Sequence, residues 1–297
     1  MKKLPFIGSG VAIVTPMTAD GKPNYQKLDE LLEMHINNKT DAIIICGTTG
    51  ESSTLSEEEH LDVIRHTVKT VAGRIPVIGG TGSNDTEFAV NFSKAAQDVG
   101  CDGVLCVTPY YNKATQKGLI MHYTKIAEAI DIPVIIYNVP SRTGVNIPIP
   151  ALKELAKIEN IVGIKEASGN ISYATKVRAE VPELYMYSGN DDMIVPIMSI
   201  GGKGVISVVA NILPEETHNI CQYYLDGKTD DALKLQLDML DLINNLFIEV
   251  NPIPVKTAMN ILGYGVGPLK LPLCDMEETN LEILKKSLDN FGVKKLN

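Results

Sequence analysis

Eight short apolar runs recur along the first 210 residues, and their rhythm constrains the fold more than any other feature of the sequence. Their starts lie roughly 20 to 35 residues apart, which is the length of one strand followed by one helix. The runs occupy residues 10–14, 42–46, 77–79, 103–107, 134–137, 161–165, 184–187 and 205–209. Strands that are apolar at nearly every position are typical of a parallel sheet buried on both faces. Eight such units favour a closed (β/α)₈ barrel over an open doubly wound sheet.

Helix signals stand between these runs, as an α/β fold requires. Ser56 and Glu59 form a capping box ahead of an amphipathic segment. Asn84 and Glu87 form a weaker cap of the same kind, and we expect the helix behind them to stop at Gly100.

The strand signals end at about residue 227. Apolar residues at helical spacing run through residues 230–245, and two further helices are predicted at 254–262 and 277–291. We therefore predict a catalytic α/β barrel over residues 1–226 and a small helical domain over residues 227–297.

Charge and composition exclude several classes of function. The formal net charge of −9 argues against nucleic-acid binding, because phosphate contacts need a clustered basic surface. No apolar stretch is long and clean enough to span a bilayer. The stretch after Lys3 is interrupted by Pro5, Gly8 and Gly10, so we interpret it as a first strand rather than a signal peptide. We expect a cytoplasmic protein.

The cysteines and histidines lack the spacing of a metal site. There is no C-x-x-C pair and no H-E-x-x-H pattern. We predict reduced core thiols and no bound metal. The cysteines are Cys46, Cys101, Cys106, Cys221 and Cys274.

Lys165 ends the sixth predicted strand, and chemistry in a (β/α)₈ barrel lies at the carboxyl ends of the strands. Because side chains alternate along a strand, Lys165 points into the barrel mouth if Ile164 points toward the helices. Burial there disfavours the charged ammonium, and a neutral amine can attack a ketone to form a Schiff base. A lysine that merely reaches solvent is the alternative. Tyr137 ends the neighbouring strand and would lie beside Lys165, where a phenol can transfer protons.

Other strand ends offer hydroxyl groups and one cation. Thr48 and Tyr111 could extend a proton relay, although Thr48 could equally close a turn and Tyr111 could equally pack. Backbone N–H groups in the glycine-rich turn 47–50 can bind a carboxylate. Arg142 follows the fifth strand, and its planar guanidinium suits bidentate capture of a carboxylate.

Four motifs in chain order resemble the dihydrodipicolinate synthase branch of the N-acetylneuraminate lyase superfamily. They are GTTGES at 47–52, TPYYN at 108–112, YNVPSRTG at 137–144 and GIKEASG at 163–169. The resemblance covers essentially the whole chain. It implies a barrel lyase that condenses pyruvate with L-aspartate-4-semialdehyde in the diaminopimelate route to lysine. It also implies a homotetramer, built as a dimer of dimers, that needs no organic cofactor.

The resemblance assigns catalytic roles to the matching residues. Lys165 would form the Schiff base with pyruvate. Thr48, Tyr111 and Tyr137 would form the proton relay, with Tyr111 reaching into a neighbouring subunit's site.

It also assigns binding roles. Thr49 would hold the pyruvate carboxylate, and Arg142 would hold the carboxylate of the aldehyde. Gly189 and Ile206 match positions near the bound intermediate.

Arg142 separates this branch from its relatives. Sialic-acid lyases lack an arginine in this loop and keto-deoxy sugar-acid aldolases usually differ there, so the resemblance implies a small aldehyde with a carboxylate. Three alternatives stay open: a related pyruvate-dependent aldolase that uses another aldehyde, a non-catalytic binding barrel, and a metal-dependent class II aldolase.

Part of the resembled pattern is altered at the site where some members bind the inhibitor lysine. The four residues that match that site are Ser52, His60, Asn84 and Tyr110. Glu57 stands where a histidine is common, and Phe88 stands where a glutamate is common. The glutamate at 87 lies one position earlier, about 100° around the helix. Because a carboxylate is missing and a ring is added, we expect lysine to inhibit poorly or not at all.

Overall fold

The computed structural model describes residues 2–296 and contains a closed barrel of eight parallel strands. Each strand pairs with its neighbour in chain order, and the last pairs with the first. The strands are β1 (Gly8–Ala12), β2 (Ala42–Ile45), β3 (Val77–Gly80), β4 (Gly103–Val107), β5 (Val134–Asn138), β6 (Ile161–Glu166), β7 (Tyr185–Ser188) and β8 (Gly204–Ser207). All eight predicted strands are present, so the predicted (β/α)₈ barrel is confirmed.

Helices alternate with the strands. They are α1 (Tyr25–Asn37), α2 (Glu57–Val71), α3 (Thr86–Asp98), α4 (Gln116–Glu128), α5 (Pro140–Thr143), α6 (Ile149–Leu155), α7 (Ile171–Glu180), α8 (Ile194–Ser199) and α9 (Pro214–Leu225). Four more helices follow: α10 (Thr229–Asp238), α11 (Leu240–Asn245), α12 (Ile253–Ile261) and α13 (Glu278–Phe291).

The helices after the barrel correct one prediction. The single helix predicted at 230–245 is wrong, because α10 and α11 are separate and meet at Met239. Near this end of α10 the side chain of Gln236 hydrogen-bonds to the backbones of Asp192 and Val195 beside the barrel. The spacing of apolar residues cannot predict hydrogen bonds between residues so far apart in the sequence. The helices predicted at 254–262 and 277–291 are present, and the domain boundary at 226 stays a prediction.

The two strands that close the barrel differ from prediction at their ends. β1 begins two residues earlier because Gly8 already pairs with Gly204 of β8. It ends two residues earlier because the N–H of Val14 leaves the ladder for the side chain of Asn211 at 3.0 Å. β8 ends at Ser207 because the carboxylate of Asp191 takes the N–H groups of Val208 and Val209. The backbone then enters a 3₁₀ turn.

Alternation along the strands divides the core into two layers. One face points outward to the helices, and the other fills the barrel with a small cluster of apolar side chains. Phe6 stacks on Tyr187 inside the barrel with ring centroids 4.5 Å apart, and the Tyr187 hydroxyl donates to the Phe6 carbonyl. β1 and β8 approach so closely that a Cβ at Gly204 would lie 1.9 Å from the Gly8 carbonyl oxygen.

Capping residues begin the helices around the barrel. The Ser56 capping box of α2 is confirmed, with both reciprocal hydrogen bonds in place. The cap predicted at Asn84 is wrong, because Asp85 accepts the N–H of Phe88 and begins α3. The short Asp carboxylate lies one residue closer to the helix and takes the position. Gly100 follows the end of this helix with a φ of 97°, as expected.

The cysteines are mostly interior. Four are buried, as predicted, whereas Cys274 is exposed on the segment between α12 and α13. Among residues 2–296, no helix has the length and apolarity needed to cross a membrane.

Three buried histidines are held in the neutral form by the packing. Burial lowers the pKa of His35 to about 3 and lowers the pKa values of His60 and His122 to about 4. The His60 ring hydrogen-bonds to the Gly80 carbonyl at 2.8 Å, so α2 is tied to the end of β3.

These imidazoles make the protein sensitive to acid. An unfolded histidine binds a proton near pH 6.5, and the buried one does so only near pH 4. Their contribution to stability is therefore complete above pH 6.5 and is lost as the pH falls toward 4. We expect His60→Gln to flatten the pH dependence of the free energy of unfolding by up to about 1.4 kcal/mol per pH unit over this range. Urea unfolding at several pH values measures it, and equal slopes would contradict the prediction.

Candidate active site

The carboxyl ends of the strands surround a cavity of about 170 Å³. Six of the eight predicted site residues line it: Thr48, Thr49, Tyr137, Arg142, Lys165 and Gly189. Ile206 lies in the buried barrel cluster rather than in the cavity wall, and Tyr111 lies on the protein surface.

Lys165 and Tyr137 are direct neighbours in the barrel ladder. Their Cα atoms are partners in the β5–β6 register, and the Lys165 Nζ lies 4.3 Å from the centre of the Tyr137 ring. Lys165 is only 6% exposed. Tyr187 is its partner on the other side, in β7, so two tyrosines flank the lysine. The inward orientation predicted from strand alternation is the one observed.

The turn after β2 brings Thr48 and Thr49 to the same cavity. The N–H of Gly50 donates to the Gly47 carbonyl and that of Glu51 to the Thr48 carbonyl, each at 3.1 Å. Thr15 fixes the turn from β1 by donating its hydroxyl to the Gly50 carbonyl at 2.7 Å. This tight turn leaves the two threonines on the cavity wall.

Arg142 lies on the short helix α5 at the mouth of the cavity. Its guanidinium donates to the carbonyl of Asn251 at 2.9 Å, and the Asn251 amide donates to the Thr49 hydroxyl at 3.0 Å. Asn251 thus connects the binding residues predicted for the two carboxylates. Within residues 2–296, the Oδ1 of Asn251 is buried without a hydrogen-bond partner.

Sequence reasoning missed Asn251 and Phe247, which line the cavity from the segment before α12. Both lie beyond the barrel, so a search restricted to strand ends could not find them. The only available signal was the N-P-I-P sequence at 251–254, which marks a turn ahead of a helix.

Tyr111 projects from the loop after β4. Its side chain is 90% exposed, and its φ of 73° lies in the left-handed region. Asn112 secures this loop by donating to the carbonyl of Asn84 at 3.0 Å. Within one chain, Tyr111 is therefore not brought together with Lys165.

A second cavity of about 410 Å³ opens beside the first and shares Thr48 and Arg142 with it. Its wall includes Ser52, Glu57, His60, Phe88 and Tyr110. The Phe88 ring stacks on Phe92 with centroids 4.9 Å apart. Asn84, also predicted here, contributes its carbonyl to the Asn112 contact and does not line the cavity.

Two carboxyl groups lie just behind the cavity. Burial raises the pKa of Asp191, although its hydrogen bonds to Ser207, Val209 and Val208 oppose the shift. Burial likewise raises the pKa of Glu166, which accepts from Asn138 at 2.8 Å on the outer face of β6. These groups shape the ends of strands β6 to β8.

Known proteins resemble this chain over almost its entire length. The family model described as the dihydrodipicolinate synthetase family matches residues 5–291. The chain is 58% identical over 288 residues to the 4-hydroxy-tetrahydrodipicolinate synthase of Clostridium novyi (strain NT), covering 97% of each chain.

Solved structures agree with the sequence relatives. The dihydrodipicolinate synthase of Aquifex aeolicus superposes with a TM-score of 0.95 at 44% identity, covering 98% of this chain and all of the other. A structure described as the first monomeric dihydrodipicolinate synthase variant superposes with a TM-score of 0.93 at 39% identity, covering 97% of both. By its whole length, its barrel and its strand-end residues, this chain belongs to the dihydrodipicolinate synthetase family.

Proposed function

We propose that this protein is a lyase that condenses pyruvate with L-aspartate-4-semialdehyde through a Schiff base on Lys165. This is the reaction of a 4-hydroxy-tetrahydrodipicolinate synthase in the diaminopimelate route to lysine, the name carried by relatives of 56–58% identity. The observation that carries the proposal is the pairing of a buried lysine with a tyrosine at the base of the cavity.

The proposed chemistry begins at the Lys165 amine. It attacks the pyruvate carbonyl carbon, and the resulting carbinolamine loses water to give the imine. Loss of a methyl proton gives an enamine, whose carbon attacks the aldehyde carbon of the second substrate. The amino group of that substrate then attacks the imine carbon, closes the ring and releases Lys165. No electron donor or acceptor is needed.

Proton transfer is assigned to hydroxyl groups near the lysine. Tyr137 is the ladder neighbour of Lys165 and gives and takes protons as the carbinolamine forms and collapses. Thr48 continues the relay on the same cavity wall. Tyr111 completes the relay from a neighbouring subunit, and its 90% exposure supports that assignment.

The two substrate carboxylates are assigned to different groups of the cavity wall. Thr49 holds the pyruvate carboxylate through its backbone N–H and hydroxyl groups. Arg142 at the mouth holds the carboxylate of the aldehyde. Gly189 lines the cavity near the proposed intermediate, and it packs so closely on Ala167 that an added Cβ would lie 2.5 Å from that side chain. Ile206 belongs to the apolar cluster inside the barrel.

We further propose that the enzyme is cytoplasmic and homotetrameric, as a dimer of dimers. The exposed position of Tyr111 supports contact between subunits. The barrel at 1–226 and the helices at 227–297 are proposed as separate domains of each subunit.

Trapping with borohydride tests the reaction class. We expect pyruvate plus borohydride to leave one reduced adduct per chain on Lys165, because reduction converts the imine to a stable amine. Peptide mass spectrometry locates the adduct. Lys165→Ala should abolish it, whereas Lys153→Met, which alters a surface lysine on α6, should leave the adduct on Lys165. Labelling at a different lysine would refute the proposed mechanism.

Arg142→Ala tests the second substrate. We expect KM for L-aspartate-4-semialdehyde to rise roughly 10- to 100-fold, because hydrogen bonds to a charged group are lost, while pyruvate trapping changes little. Arg65→Ala on the outer helix α2 is the control. Preference for a sugar aldehyde in the same assay would indicate the related aldolase instead.

Lysine inhibition is expected to be weak or absent. The second cavity presents the Phe88 ring where a cation would need a carboxylate, and Phe92 and His60 pack behind that ring. Phe88→Glu should increase inhibition by lysine, whereas Glu87→Gln on the exposed side of α3 should not. Sub-millimolar inhibition of the wild-type enzyme would contradict this prediction.

A further inference from the structure

A buried ion pair lies outside the residues assigned to the reaction. Lys256 on α12 places its Nζ 2.6 Å from Oε1 of Glu51, and each side chain is 1% exposed. The Lys256 Nζ also donates to the carbonyl of Pro268 at 2.6 Å, and Oε2 of Glu51 accepts the N–H of Lys270 at 2.9 Å. Both carboxylate oxygens of Glu51 are thus held by the chain that follows the barrel.

Stability alone does not account for this pair. Removing two charges from water costs about as much as their attraction returns, and apolar side chains of similar volume often stabilise a protein equally well. Unlike apolar side chains, an ion pair fixes two groups at one separation and orientation through charged hydrogen bonds. The function of this ion pair therefore depends on which groups Glu51 holds in place.

Glu51 belongs to the turn that carries the proposed pyruvate-binding residues. It lies two residues after Thr49, and its N–H donates to the Thr48 carbonyl at 3.1 Å. Its φ of 55° is left-handed, a conformation that costs a residue with a side chain roughly 1–2 kcal/mol. Thr54 adds two hydrogen bonds to the Glu51 carbonyl. The turn is held in an unfavourable conformation by contacts that converge on one residue.

A second contact ties the same turn to the same segment. Asn251, five residues before Lys256, donates its amide to the Thr49 hydroxyl at 3.0 Å. The beginning of α12 therefore holds the turn at two points, one on either side of Gly50. Lys165 and Tyr137 lie on other elements, β6 and β5.

We propose that Glu51 and Lys256 are positioning residues that hold the Thr48–Thr49 turn in the geometry that binds the pyruvate carboxylate. The proposal rests on the proposed function, because it takes pyruvate as the ligand of this turn. It places a determinant of pyruvate affinity on a helix outside the barrel.

Two variants separate positioning from folding. Lys256→Met leaves the Glu51 carboxylate buried and unpaired, so we expect Tm to fall by roughly 5 °C or more and the turn to loosen. Glu51→Gln combined with Lys256→Met removes both charges, while the glutamine oxygen can still accept the N–H of Lys270. The double variant should recover most of the lost Tm. It should not recover the fixed orientation of residue 51 that the charged hydrogen bonds impose.

The decisive measurement is borohydride trapping on Lys165 as a function of pyruvate concentration. We expect the double variant to need about tenfold more pyruvate for half-maximal trapping, which corresponds to one lost charge-assisted contact. At saturating pyruvate the extent of trapping should match the wild type, because Lys165 and Tyr137 are undisturbed. Hydrogen exchange of a peptide that covers residues 47–52 should be faster in the same variant.

His218→Asn is the matched control. His218 on α9 lies 2.9 Å from the carboxylate of Asp41, which directly precedes β2 at the amino end of the barrel, and the pair is partly buried. The control should lose stability without a change in the pyruvate concentration for half-maximal trapping.

The outcomes are distinct. If the double variant regains Tm and traps pyruvate at wild-type concentrations, the pair is structural and this proposal is overturned while the proposed function stands. If His218→Asn shifts the pyruvate dependence equally, the effect follows general destabilisation and the proposal again fails. If the wild-type protein forms no adduct, the proposed function and this inference fall together.

Discussion

Closure of the hydrogen-bonded ladder between β1 and β8 is the constraint on which the rest of the molecule depends. Closure leaves no free strand edge, and it forces alternate side chains either into the barrel or out toward the helices. The same alternation that packs the interior also sends Lys165 inward beside Tyr137. The amine to which we assign the reaction is therefore positioned by the backbone of two adjacent strands rather than by a flexible loop, which suits chemistry that needs a fixed distance.

The segment after the barrel contributes to the cavity as directly as the strands do. Asn251 links Arg142 to Thr49, Phe247 lines the cavity, and the carboxylate of Glu51 is satisfied by groups from α12 and the chain beyond it. The turn after β2 is part of the barrel in sequence, but its conformation depends on contacts with the segment before α12, with α12 and with the chain beyond it. These contacts couple the folding of the C-terminal helices to the shape of the site.

Prediction from the sequence succeeded where a local pattern, such as strand alternation or a capping box, is enough to determine the structure. Eight strands, the Ser56 cap and the inward orientation of Lys165 all follow from patterns a few residues long. Prediction failed where a distant group took over a backbone N–H, as Asn211 does at the end of β1 and Asp191 at the end of β8. It also failed at the start of α3, where Asp85 and Asn84 are both suitable caps and the local pattern did not choose between them. Asn251 was missed for a related reason, since its role depends on contacts with residues more than 100 positions away.

The stacked rings of Phe6 and Tyr187 fill part of the barrel interior. Tyr187 is fully buried and Phe6 nearly so, and the hydroxyl of one is tied to the backbone of the other. Lys165 is the ladder partner of Tyr187 and is almost fully buried, so it lies deep in the cavity. In the proposed reaction, both reactants, the expelled water and the product would all have to pass the mouth of this cavity, where Arg142 lies. The keto acid would have to reach Lys165 before the aldehyde binds nearer the mouth, and any molecule bound at the mouth would block both entry and exit.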